Sequence, residues 1–249
     1  MTAKNFADAN LRFRACLAFT LKYEGGRSND PRDPGGRTMQ GVTQATYDAS
    51  RAKKSLGRRD VYMMGAAERD EIYRNEYWDL INGDMLRPGE DLCVFDFAVN
   101  SGVDRARRIS AVWRKSAVVD AIGGICAHRL SFLRALRTWR YFGAGWGRRV
   151  AACEALAIRM AHGKAGPEIL KRKAGEAKFR SSKKATQATV GGAVAGSAAI
   201  AHALHGGMST IATICILIVA ALLLGIFFFH AWRQRQRADA LASAVADVK

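Results

Sequence analysis

The first apolar stretch of the chain has a helical period. Asn10 precedes it and is a favourable helix N-cap, while Gly25 and Gly26 follow it as residues that end helices. The pattern therefore predicts a helix that begins at Asn10 and ends at about Glu24. Its apolar face is formed by Leu11, Phe13, Ala15, Leu17, Ala18 and Leu21.

Three further elements are predicted before residue 103. Residues 27–45 carry Gly, Pro and Asp at turn positions and predict a small β-hairpin. Residues 66–82 have a helical pattern, and residues 92–101 form an apolar element around Asp96 and Asn100. The fold class predicted for this part of the chain is mainly α with one small hairpin.

The composition changes at residues 103–184, where arginine becomes frequent. Leu130, Leu133, Leu136 and Trp139 lie at helical spacing between the arginines. This pattern predicts amphipathic helices whose basic face is solvated. We expect the segment to pack against the residues that precede it.

A membrane segment is predicted near the C-terminus. No Lys, Arg, Asp or Glu occurs between Lys184 and Arg233, and residues 211–229 are apolar throughout except for Thr213. An apolar stretch of about this length can cross a bilayer as a helix. Residues 189–204 are weakly apolar and rich in Ala and Gly, so they predict either a second span or a flexible linker.

Basic residues flank the membrane segment on both sides. The positive-inside rule favours a hairpin of two spans, with residues 171–184 and the tail at 233–249 both in the cytoplasm. A single span also leaves the tail in the cytoplasm but places the preceding residues outside. Residues 1–10 are polar and short, and we do not expect them to act as a secretory signal.

Net charge and cysteine usage limit the classes of partner. The formal charge of +17 predicts a polyanionic partner, such as a cell-wall polymer, an anionic lipid or a nucleic acid. The sequence has no motif that reads nucleic acid, so charge alone supports that partner. The cysteines have no paired or metal-binding spacing, and their apolar surroundings predict small buried residues. They are Cys16, Cys93, Cys126, Cys153 and Cys215.

Candidate chemistry is concentrated in residues 24–43. Glu24 lies at the end of the first predicted helix, where the helix dipole and burial both disfavour its ionised form. A carboxyl group that keeps its proton beside an open cleft suits the general acid of glycosidic-bond cleavage. Asp33 and Thr38 offer a carboxylate and a hydroxyl to the attacking water or the developing cation. A surface position for Glu24 and a turn-forming role for Asp33 are the alternatives.

The run from Glu24 to Thr43, with its Gly, Pro and Asp residues in this order, resembles the N-terminal motif of glycoside hydrolase family 108. This family consists of phage-type N-acetylmuramidases related to lysozyme. The Glu24, Asp33 and Thr38 spacing is also close to the glutamate, aspartate and threonine spacing of phage lysozymes, with Thr38 about one residue early. The resemblance implies a lysozyme-like α+β fold and makes these three residues the candidate catalytic residues.

The resemblance continues through Tyr77–Asp79 and Phe95–Gly102, and it covers roughly residues 10–160. Tyr77, Trp78 and Asn100 are the candidate substrate-binding residues. The rings of Tyr77 and Trp78 suit stacking on pyranose rings, although core packing is the commoner use of such a pair and the interpretation we prefer.

Residues 119–146 resemble part of a small peptidoglycan-binding module that is often fused to this family, with its middle section missing. We therefore expect packing from this segment rather than wall binding. The predicted domains are a catalytic domain at 1–103, a basic helical segment at 104–184, a membrane anchor at 185–232 and a cytoplasmic tail at 233–249.

The resemblance implies a phage or prophage-type endolysin that cleaves the β-1,4 bond between N-acetylmuramic acid and N-acetylglucosamine in peptidoglycan. We expect it at the bacterial inner membrane, with glycan strands and the lipid bilayer as partners and no nucleic acid. No metal or organic cofactor is expected. The alternative is a non-catalytic basic protein that binds the cell wall or disrupts membranes.

Overall fold

The structure is a computed structural model that describes residues 3–29 and 36–163. It also describes residues 166, 168, 169, 171–173, 175, 176, 179, 218, 219, 221 and 222, and for residues 3–8 it describes the backbone alone. The chain divides into two compact units, Met1–Gly166 and Pro167–Lys249. The helices and strands that position the site all belong to the first unit.

Within its described residues, the first unit is mainly helical. The helices are α1 (Ala3–Leu21), α2 (Gln44–Ala52), α3 (Ala66–Tyr73), α4 (Glu90–Ser101), α5 (Val103–Trp113), α6 (Val118–Ala135) and α7 (Trp139–His162). The strands are β1 (Arg27–Ser28), β2 (Thr38–Met39) and β3 (Val42–Thr43). Short 3-10 turns lie at Val61–Met63 and Gly83–Met85, and a π-helical turn lies at Arg74–Trp78. The predicted fold class, mainly α with a small β element, is confirmed.

The β element is a three-stranded antiparallel sheet rather than the single hairpin that we predicted. Strand β2 is central and pairs with β1 and β3, with Ser28 opposite Thr38 and Met39 opposite Val42. The turn between β2 and β3 has only two residues, Gln40 and Gly41, and both have positive φ angles of 48° and 79°. Such a turn matches the twist of antiparallel strands, which explains the third strand.

Two helix boundaries differ from the predictions. Helix α1 begins at Ala3, so the prediction that Asn10 caps it is wrong. The residues before Asn10 include no Gly or Pro to stop the helix, and an exposed Asn is tolerated inside one. The helix predicted at 66–82 is present as α3 followed by the π-helical turn, and the chain turns away at Asn82, whose φ is 54°.

Helix α4 lies at the centre of the first unit. Every side chain from Glu90 to Ala98 is buried. Because residues 92–98 are apolar on all sides apart from Asp96, this part of α4 must be covered on all sides, and α1, α5, α6 and α7 pack around it. On the α1 side, the rings of Phe13, Trp78 and Phe95 form an edge-to-face cluster with centroids 5.3–6.0 Å apart.

The basic segment supplies many of the residues that cover α4. Residues 103–162 form α5, α6 and α7 within the same compact unit as α4, as expected from their amphipathic pattern. The predicted division between residues 103 and 104 therefore lies inside the first unit, and the structural division lies between residues 166 and 167. Helices α1–α3 alone cannot bury α4 on all sides, so the basic segment packs against it within the same unit.

Among the described residues, no helix combines the length and apolarity needed to cross a membrane. The predicted spans at 189–204 and 211–229 lie outside the described residues, except for positions 218, 219, 221 and 222. The predicted cytoplasmic tail at 233–249 also lies outside them.

The junction between α4 and α7 depends on Gly89. This residue precedes α4 with a φ of +84°, and a Cβ there would lie 2.1 Å from the carbonyl oxygen of Ala157 in α7. Gly89→Ala should therefore lower the free energy of unfolding by about 2–5 kcal/mol, the combined cost of left-handed strain and overpacking. Urea unfolding followed by circular dichroism measures this change.

Gly147→Ala is the matched control in α7, because a Cβ at Gly147 meets no atom within 4 Å. It should raise the free energy of unfolding by about 0.5–1 kcal/mol, as expected for Gly→Ala inside a helix. Equal effects of the two substitutions would contradict the close approach at Gly89.

Candidate active site

Glu24 follows the C-terminal end of α1, as the sequence predicts. The chain leaves the helix through a tight turn, in which the amide of Tyr23 donates to the carbonyl of Thr20 at 2.9 Å. The side chain of Glu24 is 19% exposed. It is thus shielded by the protein on most sides yet open to solvent on one, as a carboxyl group must be to reach a bound substrate.

The β2–β3 turn lies directly against the carboxyl group of Glu24. A Cβ on Gly41 would lie 3.1 Å from Oε2 of Glu24 and 2.4 Å from the hydroxyl of Tyr73, so only glycine fits at this position. The hydroxyl of Tyr73 donates to the carbonyl oxygen of Gln40 at 3.0 Å. Helix α3 therefore holds the turn in place beside Glu24.

Arg149 of α7 binds the other side of Glu24. Its Nη2 donates to Oε1 of Glu24 at 2.9 Å and to Oδ1 of Asp96 at 2.7 Å, and its Nε lies 3.1 Å from Oδ2 of Asp96. The side chain of Arg149 is only 7% exposed. A single guanidinium therefore connects Glu24 to the central helix α4.

Asp96 is fully buried, and its charge is compensated from three directions. Besides Arg149, it accepts a hydrogen bond from Nη1 of Arg129 in α6 at 2.5 Å and one from the hydroxyl of Thr20 in α1 at 2.9 Å. Burial opposes ionisation of Asp96, but Arg129 and Arg149 outweigh it and hold the pKa of Asp96 below its usual value. With Glu24, the cluster contains two carboxylates and two guanidinium groups.

The carboxyl group of Glu24 influences two neighbouring tyrosines. Burial first, and Glu24 second, raise the pKa values of Tyr73 and Tyr77 above that of free tyrosine. Both tyrosines are therefore neutral hydroxyl groups near pH 7.

Of the two other candidate catalytic residues, the structure describes Thr38 but not Asp33. Thr38 lies on β2, half-buried, and its hydroxyl donates to the carbonyl oxygen of Gly36 at 3.0 Å. It belongs to the sheet whose β2–β3 turn contacts Glu24. Asp33 lies outside the described residues, so its assignment stays a prediction.

The candidate substrate-binding residues differ in their surroundings. Trp78 is 0% exposed, and its Nε1 donates to Asp84 at 2.8 Å, so its assignment as a substrate-binding residue is wrong. The core role that we preferred for it is confirmed. Tyr77 is half-buried, with its ring 5.5 Å from that of Tyr73. Asn100 is half-buried one helical turn after Asp96 on α4.

The sequence did not identify Arg149 or Arg129 as part of the site. Asp96 was a signal in the sequence, because an acidic residue within the otherwise apolar residues 92–98 requires a buried positive partner. The sequence pattern did not show which of the many arginines of residues 103–184 are the partners of Asp96. Within the described residues, no group of three metal-ligating side chains includes Glu24.

Comparison with known proteins finds a family model and a solved structure that are similar to this chain. The family model described as glycosyl hydrolase 108 matches residues 17–102. The chain is also similar to the solved structure of Brucella abortus SagA, at 31% sequence identity and a TM-score of 0.53. That alignment covers 61% of this chain and 97% of the SagA chain. No curated protein sequence matches the chain.

The two matches cover the site to different extents. The family model includes Glu24, Thr38 and Asp96 but ends before Arg129 and Arg149. The alignment with SagA is longer, and it spans nearly the whole of that chain. Since the chain covers 97% of a relative that is 31% identical and the family model matches residues 17–102, the chain belongs to glycosyl hydrolase family 108 and is a glycoside hydrolase.

Proposed function

We propose that the protein is a muramidase that hydrolyses the β-1,4 bond between N-acetylmuramic acid and N-acetylglucosamine in peptidoglycan. We further propose that it is an endolysin of phage or prophage type. The observation that carries the proposal is the position of Glu24, a partly exposed carboxyl group fixed between Arg149 and the Gly41 turn in a domain of this family.

Glu24 acts as the general acid that protonates the oxygen of the leaving sugar. A bound glycan covers the exposed side of Glu24 and excludes water from it. The hydrogen bond from Arg149 fixes the direction of the carboxyl group.

Asp33 and Thr38 complete the proposed reaction. Asp33, together with the hydroxyl of Thr38, positions the attacking water or stabilises the oxocarbenium-like transition state. Tyr77 and Asn100 remain the proposed substrate contacts, since both are half-buried. The net charge of +17 attracts the chain to anionic polymers of the cell envelope.

The location at the bacterial inner membrane is a further part of the proposal, and the charge pattern of residues 171–237 supports it. Two apolar segments lie between basic flanks, which the positive-inside rule assigns to the cytoplasm. In this arrangement the enzyme stays inside, away from peptidoglycan, until the membrane is breached.

Glu24→Gln tests the catalytic assignment. The amide oxygen of glutamine can still accept the hydrogen bond from Arg149, so the fold should persist, but the amide cannot donate a proton as an acid. We expect hydrolysis of purified peptidoglycan to fall by at least about 10²–10⁴-fold, and Asp33→Asn to cost less than Glu24→Gln. Release of soluble fragments measures the rate, and mass spectrometry of their reducing ends identifies the bond.

Glu71→Gln is the matched control, because Glu71 is an exposed partner of Lys54 in a surface ion pair. It should leave hydrolysis unchanged. If Glu24→Gln retains wild-type activity, the mechanism is wrong. If the wild-type chain binds peptidoglycan without cleaving it, the alternative of a non-catalytic basic protein replaces the proposal.

Arg149→Lys tests whether the guanidinium positions Glu24. Lysine keeps the charge but loses the fork that spans Glu24 and Asp96. We expect kcat to fall about 10–100-fold with little change in KM, because a displaced acid slows proton transfer without weakening substrate binding. Steady-state kinetics on soluble glycan fragments, below the melting temperature of the variant, separate the two parameters.

Arg148→Lys is the control for the adjacent exposed arginine and should change neither parameter. A rise in KM at constant kcat in Arg149→Lys would show that Arg149 binds substrate instead of positioning Glu24.

Cysteine labelling tests the membrane topology. Cysteines are introduced at Ser181 and Ser243, and Cys215 is replaced by alanine. The hairpin predicts that both introduced thiols are shielded from a membrane-impermeant reagent in intact spheroplasts and react after lysis. Labelling at position 181 alone in intact spheroplasts would establish the single-span arrangement.

A further inference from the structure

Three cysteines from three helices meet in the core of the first unit. Cys93 of α4, Cys126 of α6 and Cys153 of α7 are each 2% exposed or less. The sulfur of Cys93 lies 3.5 Å from that of Cys126 and 4.0 Å from that of Cys153, and all three sulfurs lie within 4.8 Å of one another. Among the described residues, this is the one group of three potential metal ligands.

The three sulfurs are spaced as ligands of one metal ion would be. At a metal–sulfur distance of about 2.3 Å, three sulfurs in a trigonal arrangement lie about 4 Å from one another. The distances of 3.5 and 4.0 Å are close to this value, so small side-chain rotations suffice. Because the ligands come from three helices, an ion there would join α4, α6 and α7 at one point.

The donor set selects the kind of ion. All three donors are soft sulfur atoms, and no fourth His, Cys, Asp or Glu joins them in the described part of the chain. Structural zinc sites have four ligands almost without exception, so zinc is poorly matched here. Thiolate ligands favour Cu(I), which accepts three of them.

The principal cost is the negative charge of the thiolates. Hydrogen bonding to Cys126 and burial raise the pKa values of Cys93 and Cys153, so the empty site contains neutral thiols. On two of the three helices, however, an arginine of the Asp96 cluster lies one turn from a cysteine. Cys126 precedes Arg129 by three residues, and Cys153 follows Arg149 by four. Asp96 adds to the cost, since it raises the pKa of Cys153.

Arg129 offers support that the catalytic cluster does not use. Its side chain is 2% exposed, and only Nη1 is hydrogen-bonded to Asp96. Its Nε and Nη2 atoms are buried and have no hydrogen-bond partner among the described residues. Buried donors without partners are costly. Arg129 lies one helical turn from Cys126 on α6, and N–H groups that reach a metal-bound sulfur stabilise its charge.

We propose that Cys93, Cys126 and Cys153 form a three-sulfur binding site for Cu(I). On binding, each Sγ–H group releases its proton to solvent and each sulfur donates an electron pair to the ion, with no change in oxidation state. Because the sulfurs are buried, the ion enters while the helices assemble or when they open locally.

The test uses the full-length chain with Cys16→Ala and Cys215→Ala, which leaves the three clustered cysteines as its only thiols. The reduced protein is refolded without oxygen in the presence of Cu(I) held by the coloured chelator bathocuproine disulfonate. Loss of the chelator's absorbance reports transfer of the ion. We expect one Cu(I) per chain, and the same stoichiometry in the chain with all five cysteines.

Single substitutions of Cys93, Cys126 or Cys153 by alanine in this background should weaken binding by more than about 100-fold, since loss of an outer-shell partner alone costs 10–100-fold. If a substituted chain fails to fold, X-ray absorption at the copper edge provides a second test on the loaded protein that retains all three clustered cysteines. The spectrum should show three sulfur neighbours of the copper ion. Undiminished binding after any of the substitutions, no uptake by the intact cluster, or a coordination shell without three sulfurs would overturn the proposal.

Discussion

The buried carboxylate of Asp96 is the constraint on which the rest of the structure depends. It lies within the otherwise apolar residues 92–98 of α4 and has no access to water. Removing one partner from such a buried ion pair typically costs about 3–5 kcal/mol, so its positive partners are as necessary as its apolar neighbours. One comes from α6 and one from α7, and Thr20 of α1 supplies a further hydrogen bond. The basic helices are therefore an integral part of the domain that contains Glu24.

This arrangement gives the site rigid support. Glu24 lies beyond the end of a helix, and one guanidinium attaches it to the central helix while a two-residue turn packs against its other side. Positioning of this kind supplies much of what a general acid needs, because its proton must face one oxygen of the substrate.

The sequence predicted those features that depend on local pattern. The end of α1 near Glu24, the small β element and the buried helix around Asp96 follow from periodicity and turn residues, and the structure confirms them. It could not predict features that depend on which distant residues meet. Trp78 and Tyr77 are adjacent aromatic residues, and only packing shows that Trp78 is in the core. Cys126 and Cys153 lie 33 and 60 residues from Cys93, so no spacing motif indicated that their sulfurs meet.

Arg149 has a consequence for heat resistance. Apolar side chains of similar volume in place of a buried ion pair often make a protein as stable or more stable, so the Asp96 cluster is a site where selection for stability alone would favour change. In this chain such a replacement would also release Glu24 from its only described ion-pair partner. An apolar replacement of Arg149 that raises thermal stability would therefore lower the hydrolytic rate. A heat-stable variant of this enzyme must gain its stability elsewhere in the fold.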